Sequence, residues 1–115
     1  MSAQAIAALC LTRTAGGTLS ANRFVKVDGT QAGAGDNALG VTRVGASSGD
    51  LVPLDVLGTA IVESGAAITA GDTLKADASG RGITWATSGA KLAIALQAAS
   101  AAGQFIEVFL IPNCA

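Results

Sequence analysis

A chain of 115 residues has room for one modest hydrophobic core and not for two. Its seven basic and eight acidic residues are scattered and sum to a net charge of -1, so the chain carries no electrostatic footprint for nucleic acid or an acidic membrane. With no His and no Tyr, it lacks the commonest general base, the commonest metal ligand and the partner that activates a Ser or Cys nucleophile, which argues against an enzyme.

The residues are 50% hydrophobic but only 3% aromatic. Ala and Gly make up much of the apolar total, and small side chains bury little area each, so assembly with other protein adds stability that the isolated chain lacks. Charged residues are 13% of the chain, against about 25% in ordinary soluble domains, and such a surface suits protein contacts.

Along the chain, residues 1–9 are Ala-rich and apolar. They have helix propensity, but a run this short is marginal as a free helix, and the reading preferred here is an extended N-terminal arm that orders on a partner. The arm lacks the positively charged start of a secretion signal and is read as part of the mature protein. Residues 10–115 then form a single β-rich domain. Gly- and Asp-containing turn signals recur at Gly16-Gly17, Asp28-Gly29, Gly33 to Gly35, Ser48-Gly49-Asp50, Ser64-Gly65, Gly71-Asp72, Ser79-Gly80 and Ser88-Gly89. The Val-, Ile-, Leu- and Thr-rich runs between them predict strands over 8–14, 24–28, 39–44, 51–57, 58–63, 73–76, 82–85, 92–98 and 104–111. Pro53 removes a ladder donor and predicts an edge or bulge in its strand. From Phe105 to Ile111 the last strand has a single polar residue, Glu107, and it is expected to be buried on both faces. No apolar run approaches the ~20 residues of a membrane helix.

Two stretches of the chain echo each other. LSANRFVKVD at 19–28 aligns with ITAGDTLKAD at 68–77, Leu39-Gly40-Val41 with Ile94-Ala95-Leu96, and residues 46–52 with 100–106. The fold class expected is therefore all-β, a small pseudo-duplicated β-barrel or sandwich.

The remaining candidates for chemistry have structural readings. Asp28, Asp36, Asp50, Asp72 and Asp77 adjoin turn residues, where a carboxylate caps its own backbone, and no D-x-D-x-D-G calcium loop occurs. The Gly-rich segment 29–40 lacks the lysine spacing of a phosphate loop. Cys10 and Cys114 are too few for a zinc site and are read as free thiols, with a disulfide joining the two ends as the alternative. No cofactor is expected. Trp85, Phe24, Phe105 and Phe109 are the large anchors. Phe105 and Phe109 are expected in the core, and Trp85 in the core or at an interface hot spot.

The order of Leu11-Thr12-Arg13-Thr14-Ala15-Gly16-Gly17, the strand from Phe24, Ala38-Leu39-Gly40-Val41, Gly49-Asp50-Leu51-Val52-Pro53-Leu54, Gly58-Thr59-Ala60-Ile61-Val62-Glu63 and Ile68-Thr69-Ala70-Gly71-Asp72-Thr73-Leu74 resembles the small phage capsid cement, or head decoration, proteins. The resemblance covers residues 9 to 111. It implies a β-barrel-like structural protein, located in the virion on the outer capsid surface, that bridges subunits of the major capsid protein. It also implies a homotrimer, without nucleic acid, membrane or small-molecule substrate. Ser2, Gln4, Ile6, Leu9 and Trp85 are the candidate contact residues toward the capsid or a neighbouring copy. Two other readings compete: a tail or fibre accessory domain that binds sugar, and a biotinyl- or lipoyl-like carrier suggested by the hairpin pattern of residues 62–77. The first lacks aromatic platforms, and the second lacks a lysine at a hairpin tip.

Overall fold

The computed structural model describes residues 6–111, and within them there is no helix. Eight strands follow in order: β1 (Ala7–Thr14), β2 (Phe24–Val25), β3 (Gly40–Thr42), β4 (Leu51–Glu63), β5 (Thr73–Ala76), β6 (Gly82–Thr84), β7 (Ala93–Ala95) and β8 (Phe105–Leu110). All the pairings between these strands are antiparallel. They form one sheet in the order β2-β3-β4-β8-β7-β5-β6, with β1 also paired to β4. The two ends of this order meet, because the Phe24 N–H donates to the Gly80 carbonyl in the β5–β6 turn at 2.8 Å. The result is a nearly closed, all-β barrel.

The expected strands at 51–57 and 58–63 are a single strand, β4. Gly58, with φ of 98°, turns the chain at their junction without ending the ladder, a conformation that costs little only for glycine. Of the edge or bulge expected at Pro53, there is no bulge: Pro53 pairs in register with Thr12, and the register shifts of β1 fall on either side of Leu9. The β3 ladder stops at Thr42↔Leu54, just before the proline that could not extend it. The strand β1 begins at Ala7, so the last three residues assigned to the arm are ladder residues. Residues 1–5 lie outside the described residues.

The duplication is written into the backbone hydrogen bonds. Leu19 and Ala46 exchange N–H···O bonds, and so do Ile68 and Ala99. Ala15 donates to Asp50 and Gly49 to Ala15; in the second half Ser64 donates to Gln104 and Gly103 to Ser64. The pairs Phe24↔Val41 and Val25↔Gly40 match Thr73↔Ile94 and Leu74↔Ala93. The first half of β4 pairs with β1 as β8 pairs with the second half of β4, Thr14↔Leu51 corresponding to Glu63↔Phe105. In this pairing Leu39-Gly40-Val41 corresponds to Leu92-Ala93-Ile94, two residues earlier than the sequence alignment places it. Runs of Ala, Gly and Leu carry too little side-chain information to fix register without the ladder.

The larger part of the core is shared by the two halves. Phe24, Val41, Ala60, Val62, Leu74, Ile106 and Val108 belong to one cluster, and Leu19, Val25, Val52 and Leu54 to a smaller one in the first half. Phe24 is the aromatic anchor at 1% exposure, whereas Phe105 and Phe109 are 54% and 46% exposed, which overturns their expected place in the core. The strand β8 covers the core with one face only: Ile106, Val108 and Leu110 turn inward, and Phe105 and Phe109 turn outward. A charged network ties the halves together. Arg23 donates to Ser79 O at 2.9 Å and to Glu63 Oε1 at 3.0 Å, and Arg81 lies against Glu63 at 3.9 Å while binding Asp77 at 3.1 Å.

Gly40 shows how tightly β3 lies on β4, since a Cβ there would fall 2.5 Å from Asp55 O and 2.9 Å from Val56 Cγ1. Its counterpart, Ala93, already carries a methyl group. Gly40→Ala is therefore expected to lower stability by about 1–3 kcal/mol in urea unfolding, while Ala93→Gly costs only about 1 kcal/mol or less. In the loop after β2, the hydroxyl and then the N–H of Thr30 hold the Asp28 carboxyl below its ordinary pKa. A depressed carboxyl pKa stabilises the fold above about pH 4, and that contribution is lost as the pH falls through the lowered value. Thr30→Val should move the Asp28 titration, followed by NMR, back up toward the ordinary range.

Candidate interaction surface

The strand β1 has β4 as its only strand partner among the described residues, and residues 8–10 and 12–14 along it are exposed. Its counterpart in the second half behaves differently. Ala60 and Val62, which correspond to Leu11 and Arg13, are fully buried, and the Glu63 N–H donates to Asn22 O at 3.0 Å, covering that edge. An exposed edge strand is a template for pairing with another chain unless something covers it.

Beside β1 lies an apolar groove of about 400 Å³. Leu9 and Leu11 line it from β1, Val56 and Leu57 from β4, and Leu110 and Ile111 from the end of β8, with Phe24 at its base side. The register shifts of β1 fall on either side of Leu9, one of the residues that line the groove.

A second apolar surface lies on the outer face of β8. Phe105 and Phe109 project from it, exposed Leu96 adjoins through its N–H to the Glu107 carbonyl at 3.0 Å, and Glu107 sits low between them, 7% exposed. The equivalent face of the first half is mixed: Leu51, which corresponds to Phe105, is exposed, but no aromatic side chain stands there. There Asp55, which corresponds to Phe109, is buried, and Arg43, which corresponds to Leu96, donates from Nε to Asp55 Oδ1 at 2.7 Å. That hydrogen bond, and then the charge of Asp55, raise the Arg43 pKa above its ordinary value, so the guanidinium stays charged.

Of the residues singled out from sequence, Leu9 lines the groove and Ile6 lies exposed next to β1, its N–H bound to Thr59 Oγ1 at 2.8 Å. Ser2 and Gln4 lie outside the described residues. Trp85 is half-buried just past β6 and does not line the groove; its indole N–H donates to Gly89 O at 2.9 Å, and Lys91 Nζ stands 4.5 Å from its ring centre. Phe105, Phe109 and Leu96 were not anticipated as surface residues. The signal was present, because Glu107 shares strand parity with Phe105 and Phe109 and so marks their face as the outer one. Among the described residues, no group of three His, Cys, Asp or Glu side chains converges as metal ligands. Cys10 is an exposed free thiol, and Lys75 lies within β5, donating to Ser88 O at 3.0 Å, rather than at a hairpin tip.

A family model described as phage cement protein matches residues 3–110. Among solved structures, the chain is similar to the N base of the head fiber gp8.5 of bacteriophage phi29. The TM-score is 0.73 at 19% identity, covering 93% of this chain and 97% of that one, a likeness of fold. No curated protein sequence matches the chain.

Arg43→Ala leaves the Asp55 carboxylate, 2% exposed, without its guanidinium partner. The expected result is a loss of about 1–3 kcal/mol in thermal or urea unfolding, with Arg43→Lys losing less.

Proposed function

Since the chain belongs to the phage cement protein family, a family of virion structural proteins, we propose that it binds the outer surface of an icosahedral capsid and stabilises the shell by bridging subunits of the major capsid protein. The family match across almost the whole chain carries this reading. The surface supports it: β1 and the groove on one part, and the Phe105–Phe109 face on another, expose apolar area that a chain this small gains by covering.

The mechanism follows from linkage. DNA packing loads the shell from within, and a protein that binds only the mature lattice stabilises that lattice by mass action. A homotrimer contacts several capsid subunits at once, so individually weak contacts combine through high effective concentration. The residues assigned to the contacts are Ser2, Gln4, Ile6 and Leu9 at the start of the chain, with Trp85 as a separate anchor. The fold shared with the head-fiber base favours a second reading, in which the domain seats an appendage on the head. Both readings require capsid binding, but only the cement reading requires the shell to become stronger.

Mixing purified protein with capsids that lack it, followed by sedimentation and heating, tests the assignment. Saturable binding at a fixed ratio to the major capsid protein with raised heat resistance is expected. Binding without added resistance supports the appendage reading, and no binding overturns both. Deleting residues 2–5 should lower occupancy several-fold without lowering the protein's own Tm, whereas deleting residues 2–9 should also lower Tm, because it removes the start of β1.

A further inference from the structure

We propose that copies of this chain join head to tail, the Phe105–Phe109 face of one copy seated in the apolar groove and along the β1 edge of the next. The inference deepens the homotrimer of the preceding reading by naming its two surfaces.

Three observations carry it. The first comes from the duplication. Each half shows what the fold requires at a given position, and the fold does not require aromatic side chains on this face: Leu51 and Asp55 stand where the second half has Phe105 and Phe109. By the same comparison, β1 is the copy of a strand that is covered in the second half and uncovered in the first. One half thus has exposed aromatic side chains that the fold does not need, and the other has an edge and groove that are open among the described residues.

The second observation is shape. Phe105 and Phe109 stand exposed on the outer face of β8, and the surface formed by Leu9, Leu11, Leu57 and Ile111 is concave with a volume of about 400 Å³, within the usual range of pockets that accept an apolar group. Two different, complementary surfaces on one molecule make a heterologous contact, which closes into a ring or runs on as a filament.

Charge is the third. Glu107 is the carboxylate set into the aromatic face, and Arg13 is the basic residue on the exposed strand β1. Pairing the aromatic face with itself would bring Glu107 against Glu107, and a head-to-tail contact brings Glu107 to Arg13 instead. A copy exposes 5341 Å², and two standard interfaces of roughly 800 Å² per partner would cover under a third of it, leaving surface for the capsid.

The test is complementation in solution, without capsids. The wild-type chain is expected as a multimer by light scattering. Phe105→Asp with Phe109→Asp removes the aromatic side chains, and Leu9→Asp with Arg13→Glu spoils the groove side; all four residues are exposed, and thermal unfolding of each variant confirms its fold. Each variant alone should run at the single-chain mass of 11.2 kDa. Mixed, they should form a species of twice that mass, because one intact aromatic face meets one intact groove and the ring cannot close. Glu107→Arg should dissociate the multimer, and adding Arg13→Glu should restore it. A monomeric wild type, or folded variants that stay multimeric or fail to complement each other, overturns the inference. Capsid binding is read separately by sedimentation, so either reading can fail while the other stands.

Discussion

One strand sets the geometry of the whole molecule. The 13 residues of β4 pair with β1 and β3 through their first part and with β8 through their last, so both halves of the duplication take their register from the same backbone. A slip of one residue anywhere along it would exchange the buried Val52, Leu54, Ala60 and Val62 for their outward neighbours in both halves at once. Gly58 marks where the first unit ends and the second begins, its φ of 98° allowing the strand to turn without breaking. Because one strand serves two units, the molecule needs no linker between them.

Two exposed apolar surfaces lie at the outer strands of the two units. The last strand of the first unit is also the first strand of the second, whereas β1, the first strand of the first unit, pairs with β4 alone among the described residues and stays exposed beside the groove. At the other end, β8 closes the second unit and presents its outer face to solvent, with Phe105 and Phe109 where a free-standing barrel would carry polar residues.

Much of this was legible in the sequence. Turn residues located the strands, the echo between 19–28 and 68–77 located the duplication, and the Val-rich runs located the core. The boundaries that failed did so for local reasons. A glycine with positive φ was read as a break between two strands because turns and strand bends use the same residue. Phe105 and Phe109 were placed inside because the strand is almost wholly apolar, and an apolar strand looks the same whether its second face meets the core or waits for a partner. The charge pair Arg43–Asp55 joins residues 12 apart in sequence across two strands, and no local pattern announces it. Leu9 was singled out from its apolar setting as a candidate contact, but the groove it lines depends on β8 and β4 arriving from far along the chain, which no local pattern shows.

The central claim is that this protein sits on the outside of a phage head and ties its subunits together. An electron cryomicroscopy reconstruction of capsids bearing the protein tests it most directly. The account predicts barrel-sized density on the outer surface, each cluster touching more than one major capsid subunit, with β1 or the groove turned toward a neighbour and not toward solvent. Density confined to the tail, or single copies each resting within one capsid subunit, would contradict it.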